Sequence, residues 1–292
     1  MLYAFDGTWN LDKPGTEHDT NVVWFRDAYV GLPPFYREGI GTRFDVVGKI
    51  VGGVFGAGGK QRVKEALEHF RAHQPPGEPI AVVGFSRGAA LALHFVNQLA
   101  KKFSPHPPVK FVGLWDTVPA VGIAATKIDD ELFWDLDLPA NVERCFHAMA
   151  LDERRLDFRI HHPDPSGPNQ LVEVWFRGVH SDVGGGNENS ALSSIALNWM
   201  FECAARTGIA LRPDVVAKNL ARMNPDAQIS VHDLSKTEIA DRHPKATDLV
   251  HESVTPRADT AQRNHVNPPV GTPVVNNRGE VAGKFDVRPA TA

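Results

Sequence analysis

Gly84-Phe85-Ser86-Arg87-Gly88 is the first segment whose residue types and spacing could do chemistry. An apolar run, Ile80-Ala81-Val82-Val83, leads into it, and an alanine- and leucine-rich stretch follows at once, which is the strand, sharp turn and helix that a nucleophile elbow needs. The flanking glycines offer no side chain to clash where strand and helix crowd together, so a strained serine can project from the top of a sheet with its Oγ exposed. A helix starting at Arg87 points its amino end at the site, and the Arg87 N–H can stabilise an acyl oxyanion. The chemistry expected of Ser86 is attack on a carboxylic ester with formation of an acyl-enzyme.

Such a serine needs a base and an acid, and in this elbow context the chain order is Ser, then Asp or Glu, then His, on loops after later strands. Asp116 follows the apolar run Val109 to Trp115 and is the expected acid. His180 follows the run Leu171 to Arg177 and opens His180-Ser181-Asp182-Val183-Gly184-Gly185-Gly186, read as a glycine-rich loop that carries the expected base over the sheet edge. His251, in Leu249-Val250-His251-Glu252-Ser253, also follows a short apolar run and is the rival base. Asp182 is the rival acid, although its closeness to His180 suits it better to shaping that loop. The second oxyanion donor is expected from the N–H of Gly7 or Thr8, in the turn Asp6-Gly7-Thr8-Trp9-Asn10 after the first apolar run, with Asp6 bracing the turn. Among the remaining histidines, His73 at a helix end and His161-His162 in a proline-rich loop read as solvated or structural.

The elements that must position these residues are legible as alternating patterns. Apolar β-rich runs at Leu2 to Phe5, Pro79 to Gly84, Val109 to Trp115 and Leu171 to Gly178 read as strands. Helical periodicity covers Lys60 to His73, Arg87 to Lys102 and Ser190 to Arg206. Alternation of this kind predicts an α/β fold, α/β-hydrolase-like, with a mostly parallel central sheet, helices on both faces, and functional residues at the carboxyl ends of strands. Asp116 to Asp137 reads as an irregular segment with Trp115, Phe133 and Trp134 as part of a cap, and Val274 to Val281 as a hairpin. We expect one catalytic domain over residues 1–255 and a polar, turn-rich extension over 256–292 packed on it.

Composition narrows the function classes. The chain has 292 residues, 42% hydrophobic and 23% charged, and 31 basic and 35 acidic side chains are mixed along it for a net charge of −4. No basic stripe is present to meet a phosphate backbone, so nucleic acid is not expected as a partner. Cys145 and Cys203 lie in no metal-ligand or redox spacing, and neither a metal nor a cofactor is called for. The first residues, MLYAFDGTWN, have no basic region followed by an apolar one, and the Ala89 to Ala100 stretch is too short to span a bilayer. The expectation is a soluble chain, cytoplasmic as made, with any export independent of a signal peptide.

Seven blocks together resemble one family, the catalytic domain of the first-class type VI secretion lipase effectors and their bacterial and fungal relatives. They are Phe5-Asp6-Gly7-Thr8-Trp9-Asn10, Thr20-Asn21-Val22, Gly39-Ile40-Gly41-Thr42, Gly84 to Ala89, Trp115-Asp116-Thr117-Val118, His147 to Arg155 and Trp175 to Gly186, in that order. The resemblance implies an α/β-hydrolase core with a Ser-Asp-His triad, carried here by Ser86, Asp116 and His180. It also implies hydrolysis of an ester or lipid substrate, phospholipid acyl chains included, with transient contact to a membrane surface and a secretion apparatus or immunity protein as partners.

Other readings account for less. In Gly52 to Gln61, Val54 and Gln61 replace the glycine and the Ser or Thr of a phosphate loop, so the glycines read as a flexible loop into the Lys60 helix. Ala4 stands where an aspartate-nucleophile phosphatase would carry its attacking residue. The alternative from another class is a non-catalytic α/β-hydrolase-fold protein used for binding or assembly.

Overall fold

In the computed structural model, which describes residues 1–7, 19–38, 53–119, 134–188, 190–230, 238–257 and 266–286, one nine-stranded sheet runs through the molecule. Its strands are β1 (Leu2–Phe5), β2 (Phe35–Arg37), β3 (Ile80–Phe85), β4 (Val109–Trp115), β5 (Cys145–Ala150), β6 (Leu171–Phe176), β7 (Leu249–His251), β8 (Pro273–Val275) and β9 (Val281–Lys284). They lie in the order β2-β1-β3-β4-β5-β6-β7-β8-β9. Every pairing is parallel except β8 with β9. The fold is α/β with a mostly parallel central sheet.

The helices are α1 (Asn21–Ala28), α2 (Gly53–His73), α3 (Arg87–Lys102), α4 (His180–Gly184), α5 (Ser190–Arg206) and α6 (Pro213–Arg222). They cover both faces, as alternation along the strands requires. Leu2 and Ala4 of β1, Ala81, Val83 and Phe85 of β3, and Phe111 and Trp115 of β4 pack with Phe25 of α1, Trp199 of α5 and Val215 of α6. The intervening Tyr3 and Phe5, Ile80 and Val82, and Val112 and Leu114 pack on the other face with Val63 of α2 and Phe95 of α3. Both faces being buried explains why these strands read as continuous apolar runs. Beyond β6, a smaller cluster of Met149, Trp175, Val250, Val274 and Phe285 carries the core to the β8–β9 hairpin, where the sequence expected one.

Two expectations change. The glycine run is not a loop leading into a helix at Lys60: the helix already starts at Gly53. A Cβ on Gly59 would come within 2.9 Å of Trp134 and 3.1 Å of Leu91, so the missing side chain lets α2 lie close to α3. The described end of the expected cap, Trp134, packs edge-on against His94 of α3, at 4.7 Å between ring centroids, while Trp115 is fully buried in the core. Phe133 and residues 120–132 lie outside the described residues.

Register brings the strand ends level. Phe5 pairs with Gly84, Phe85 with Trp115, Trp115 with Ala148, and Ala150 with Phe176. Asp6, Ser86, Asp116 and the turn after β6 therefore share the carboxyl edge of the sheet, where ligands of such folds bind.

Candidate active site

Ser86 occupies the turn between β3 and α3 with φ 58° and ψ −127°, a conformation an L-residue adopts only under constraint. The constraint is local. A Cβ on Gly84 would lie 2.6 Å from Ala89 Cα, and one on Gly88 would collide with the carbonyl oxygens of Phe5 and Asp6. Strand, turn and helix can thus close on each other and on β1 only with glycine at both positions. Ser86 O accepts from the N–H groups of Ala89 (3.1 Å), Ala90 (3.4 Å) and Val118 (3.4 Å), which ties the elbow to the turn after β4. Arg87 is the first residue of α3, so its N–H has no acceptor within the helix. Burial lowers the Arg87 guanidinium to about 10.

Asp116 leaves β4 with φ 43° and is fully buried. Its backbone N–H donates to Ala148 O (2.8 Å), and the next N–H, of Thr117, donates to His147 Nε2 (3.1 Å). His147 Nδ1 must then carry the ring proton, which it donates to Glu173 (2.9 Å). Exposed His162 shares that carboxylate at 3.0 Å, and the shared hydrogen bond raises the His162 pKa. Burial would push Glu173 up, but the two histidines outweigh it and hold it at about 2. The His161-His162 segment is therefore part of the support beneath Asp116, with His161 N–H donating to Thr117 O (2.9 Å).

The Asp116 carboxylate receives four hydrogen bonds from three residues. Oδ2 lies 2.6 Å from His180 Nδ1, and Oδ1 accepts the Ala150 N–H at 2.8 Å. Arg242 grips both oxygens, Nη1 to Oδ1 at 2.5 Å and Nη2 to Oδ2 at 3.1 Å. Burial alone would raise this acid, but the Arg242 charge and the His180 hydrogen bond hold it well below the ordinary carboxylate range. Because Asp116 is ionised, the proton between it and His180 belongs to Nδ1, and Nε2 is left as the basic nitrogen.

His180 is the first residue of α4, a single turn of helix rather than the expected loop. Its backbone N–H donates to Glu153 Oε2 (3.2 Å), and its ring lies against Phe85, 4.6 Å between centroids, and Phe158, 5.0 Å. Contact with Phe85 puts the imidazole one residue from Ser86. Glu153 is buried, which would raise its pKa, but Arg155 pairs with it at 2.8 Å and holds it at about 2. Arg155 also lies 3.5 Å over the Phe158 ring. Asp152 accepts from Gly178 N–H (2.7 Å) and pairs with Arg177 (2.7 Å), fixing the turn before His180.

The rivals are held elsewhere. Asp182 is fully buried and accepts from the N–H of Val179 (3.1 Å), the N–H and Oγ of Ser230 (2.9 and 2.6 Å) and Asn187 (2.9 Å). It shapes α4 and meets no imidazole. His251, on β7, is stacked on Phe176 at 4.6 Å, and its Nδ1 engages Ser253 Oγ (2.9 Å) and N–H (3.2 Å). Burial lowers it to about 4. The structure joins Asp116 to His180 and not to His251.

Of the expected second oxyanion donors, the Gly7 N–H donates to Asp6 Oδ1 at 2.7 Å, and Thr8 lies outside the described residues. Asp6 also accepts from Thr20 Oγ (2.8 Å) and Tyr36 Oη (2.9 Å). Thr20 caps α1 and bridges to Gly185, and Asn21 donates to Val183 O (2.8 Å) and Ser193 O (3.0 Å). The turn after β1 is thereby connected to the helix that carries His180. The residue that sequence reasoning missed altogether is Arg242, which stands in Asp241-Arg242-His243-Pro244 with no motif around it.

A family model for the catalytic domain of Tle1-like phospholipase effectors of the type VI secretion system matches residues 1–102 and 94–203. Nothing among curated proteins matches the chain. Of solved structures, the Tle1 effector bound to the VgrG spike of the type 6 secretion system is 22% identical, with 65% of this chain and 51% of that one covered and a TM-score of 0.45. An uncharacterized protein from Pseudomonas aeruginosa is 20% identical, with 78% and 51% covered and a TM-score of 0.48. This chain thus spans about half the length of either structure. The family match takes in Ser86, Asp116 and His180, and the chain belongs to the family of catalytic domains of Tle1-like type VI secretion phospholipase effectors.

Proposed function

We propose that the chain is a lipase-type serine hydrolase in which Ser86, His180 and Asp116 act as a triad on the acyl ester of a phospholipid or related lipid. The observation that carries this reading is the 2.6 Å contact of His180 Nδ1 with a buried, ionised Asp116, on the same sheet edge as the strained Ser86. His180 Nε2 takes the Ser86 proton as Oγ attacks the ester carbonyl, and Asp116 fixes the tautomer and stabilises the imidazolium that forms. The tetrahedral oxyanion is held by the N–H of Arg87, with the Thr8 N–H as second donor now that Gly7 is engaged by Asp6. His180 then returns the proton to the leaving alcohol, and a water activated by the same nitrogen releases the fatty acid.

Phospholipid as substrate, and the type VI secretion apparatus as partner, are proposed from the family to which the chain belongs. Among the described residues no helix is long and apolar enough to cross a membrane, so access to lipid would be from the surface. The test is Ser86→Ala, assayed on short p-nitrophenyl esters and on phospholipid vesicles with product analysis. We expect fatty acid release by the unaltered chain and a loss of at least about 10³-fold in the variant. An unchanged rate would remove Ser86 from the mechanism, and no turnover of any ester by the unaltered chain would favour the non-catalytic alternative.

A further inference from the structure

Arg242 lies beyond the residues matched by the family model, yet among the described residues it makes the closest approach of any cation to Asp116. Its delivery is built. Ala240 N–H donates to Arg154 O (2.8 Å), Leu156 N–H donates to Glu238 O (2.9 Å), and Arg154 pairs with Asp241 (2.5 Å), so residues 238–242 are fastened along the segment after β5. From there the guanidinium reaches inward, donating to Ala150 O (2.6 Å) and Phe158 O (2.8 Å) as well as to both Asp116 oxygens. It is itself buried, 7% exposed. The two carbonyls fix the plane of the fork, and the fork in turn fixes the plane of the carboxylate that meets His180 Nδ1.

We propose that Arg242 is a positioning residue for hydrolysis: it holds the Asp116 carboxylate facing His180 and offsets part of the charge that this carboxylate presents to the imidazole. The inference rests on the triad reading given above. Asp116 Oδ2 is shared between Arg242 Nη2 and His180 Nδ1. When His180 takes the Ser86 proton, two cations flank one carboxylate, so proton uptake by the pair is opposed by Arg242. The carboxylate that meets His180 Nδ1 thus has its charge divided between two partners. Among the described residues, the other charged groups near this pair are Glu153, which accepts the His180 N–H, Arg155, which pairs with Glu153, and His162, on which the Arg242 charge also acts. Asp182, on α4 itself, is saturated by Val179, Ser230 and Asn187, and the rings of Phe85 and Phe158 are neutral.

The experiment compares the unaltered chain with Arg242→Gln and Arg242→Lys. The His180 ring is titrated by NMR, its resonance assigned by its loss in His180→Ala, and kcat/KM is measured against pH on an ester substrate. In Arg242→Gln the His180–Asp116 pair should take up its proton about one pH unit higher, as expected for removing one cation a carboxylate's width away. The acid limb of kcat/KM should move with it, while KM stays within about twofold because Arg242 does not touch substrate. Arg242→Lys keeps the charge but not the fork, so its titration should stay in place while kcat falls about tenfold. Titration of Arg242→Gln at the pH of the unaltered chain would overturn the proposal, as would equal shifts in the two variants. If Arg242→Gln fails to fold, Arg242→Lys decides: a titration moved by a full unit, or an unchanged kcat, overturns it. The NMR readout does not require turnover, so failure of the triad reading, shown by an active Ser86→Ala, remains distinguishable from failure of this one.

Discussion

A histidine serves as a base only if one ring nitrogen is held and the other is left available, and the two candidate bases differ on this point. His180 Nδ1–H donates a hydrogen bond to a carboxylate whose charge is maintained by the Arg242 guanidinium. His251 has its Nδ1 occupied by Ser253, its ring stacked on Phe176, and only 1% of its surface exposed. We expect His180→Ala to lower kcat/KM by about 10⁴-fold or more. His251→Phe should leave kcat within about twofold while lowering stability by about 1–3 kcal/mol, since Ser253 loses a buried partner. Esterase kinetics beside urea denaturation separate the two; the reverse pattern would transfer the role of base to His251. The candidate positions of Ser86, Asp116 and His180 could be read from the sequence because each follows an apolar strand at a glycine, aspartate or histidine turn, a signal local to a few residues. Arg242 was not, because it meets Asp116 across 126 residues from a segment whose placement depends on pairing with 154–156. Glu153 lay inside a noticed block, but only the fold reveals that it holds the His180 N–H.

At the scale of elements, the elbow depends on how closely α3 can approach β1 and β3. Gly88 lies under the carbonyls of Phe5 and Asp6, which are backbone atoms of a strand paired on both sides and of its turn and cannot swing aside as a side chain would. Gly88→Ala is therefore expected to cost about 1–3 kcal/mol by overpacking and to misplace Ser86 as α3 retreats. A fall in kcat larger than the fall in folded fraction, with Ala89→Ser as a neighbouring control, checks this; an active, equally stable Gly88→Ala would show that the close approach is dispensable. Strands buried on both faces were easy to find as apolar runs. The elements that escaped were those without such a run. β2 is three residues long, β5 carries His147 in its middle, and the turns of α2 before Lys60 lie among glycines whose helix propensity is poor. α4 read as a loop because its helical turn ends in glycines, yet Asp182 accepting the Val179 N–H is the support its first turn needs.

Across the whole molecule, buried ionisable groups set how stability responds to pH, and two of them pull in opposite directions. Burial lowers His251 to about 4, so the unfolded chain takes up a proton near pH 6.5 that the fold refuses until about pH 4. Its contribution is present above pH 6.5 and lost as pH falls through that window. Burial raises Asp6 to about 7, against hydrogen bonds from Thr20, Gly7 and Tyr36 that lower it. The unfolded chain releases this proton near pH 3.8 while the fold keeps it until about pH 7, so the Asp6 contribution is present below pH 3.8 and lost as pH rises. Each shift corresponds to a few kcal/mol, at about 1.4 kcal/mol per unit. Between pH 4 and 6.5 the two slopes oppose each other, and single variants should expose them. Asp6→Asn can keep all three hydrogen bonds, since its amide oxygen accepts from Gly7 and its two N–H groups donate to the hydroxyls of Thr20 and Tyr36. Its urea midpoint should climb more steeply from pH 4 to 7 than that of the unaltered chain. His251→Phe removes the opposite slope, and its midpoint should climb less. Parallel profiles for all three proteins would mean that neither group titrates differently in the fold. A steeper climb confined to Asp6→Asn would place a carboxyl that is protonated up to about pH 7 directly beneath the elbow, at the carbonyl that Gly88 touches.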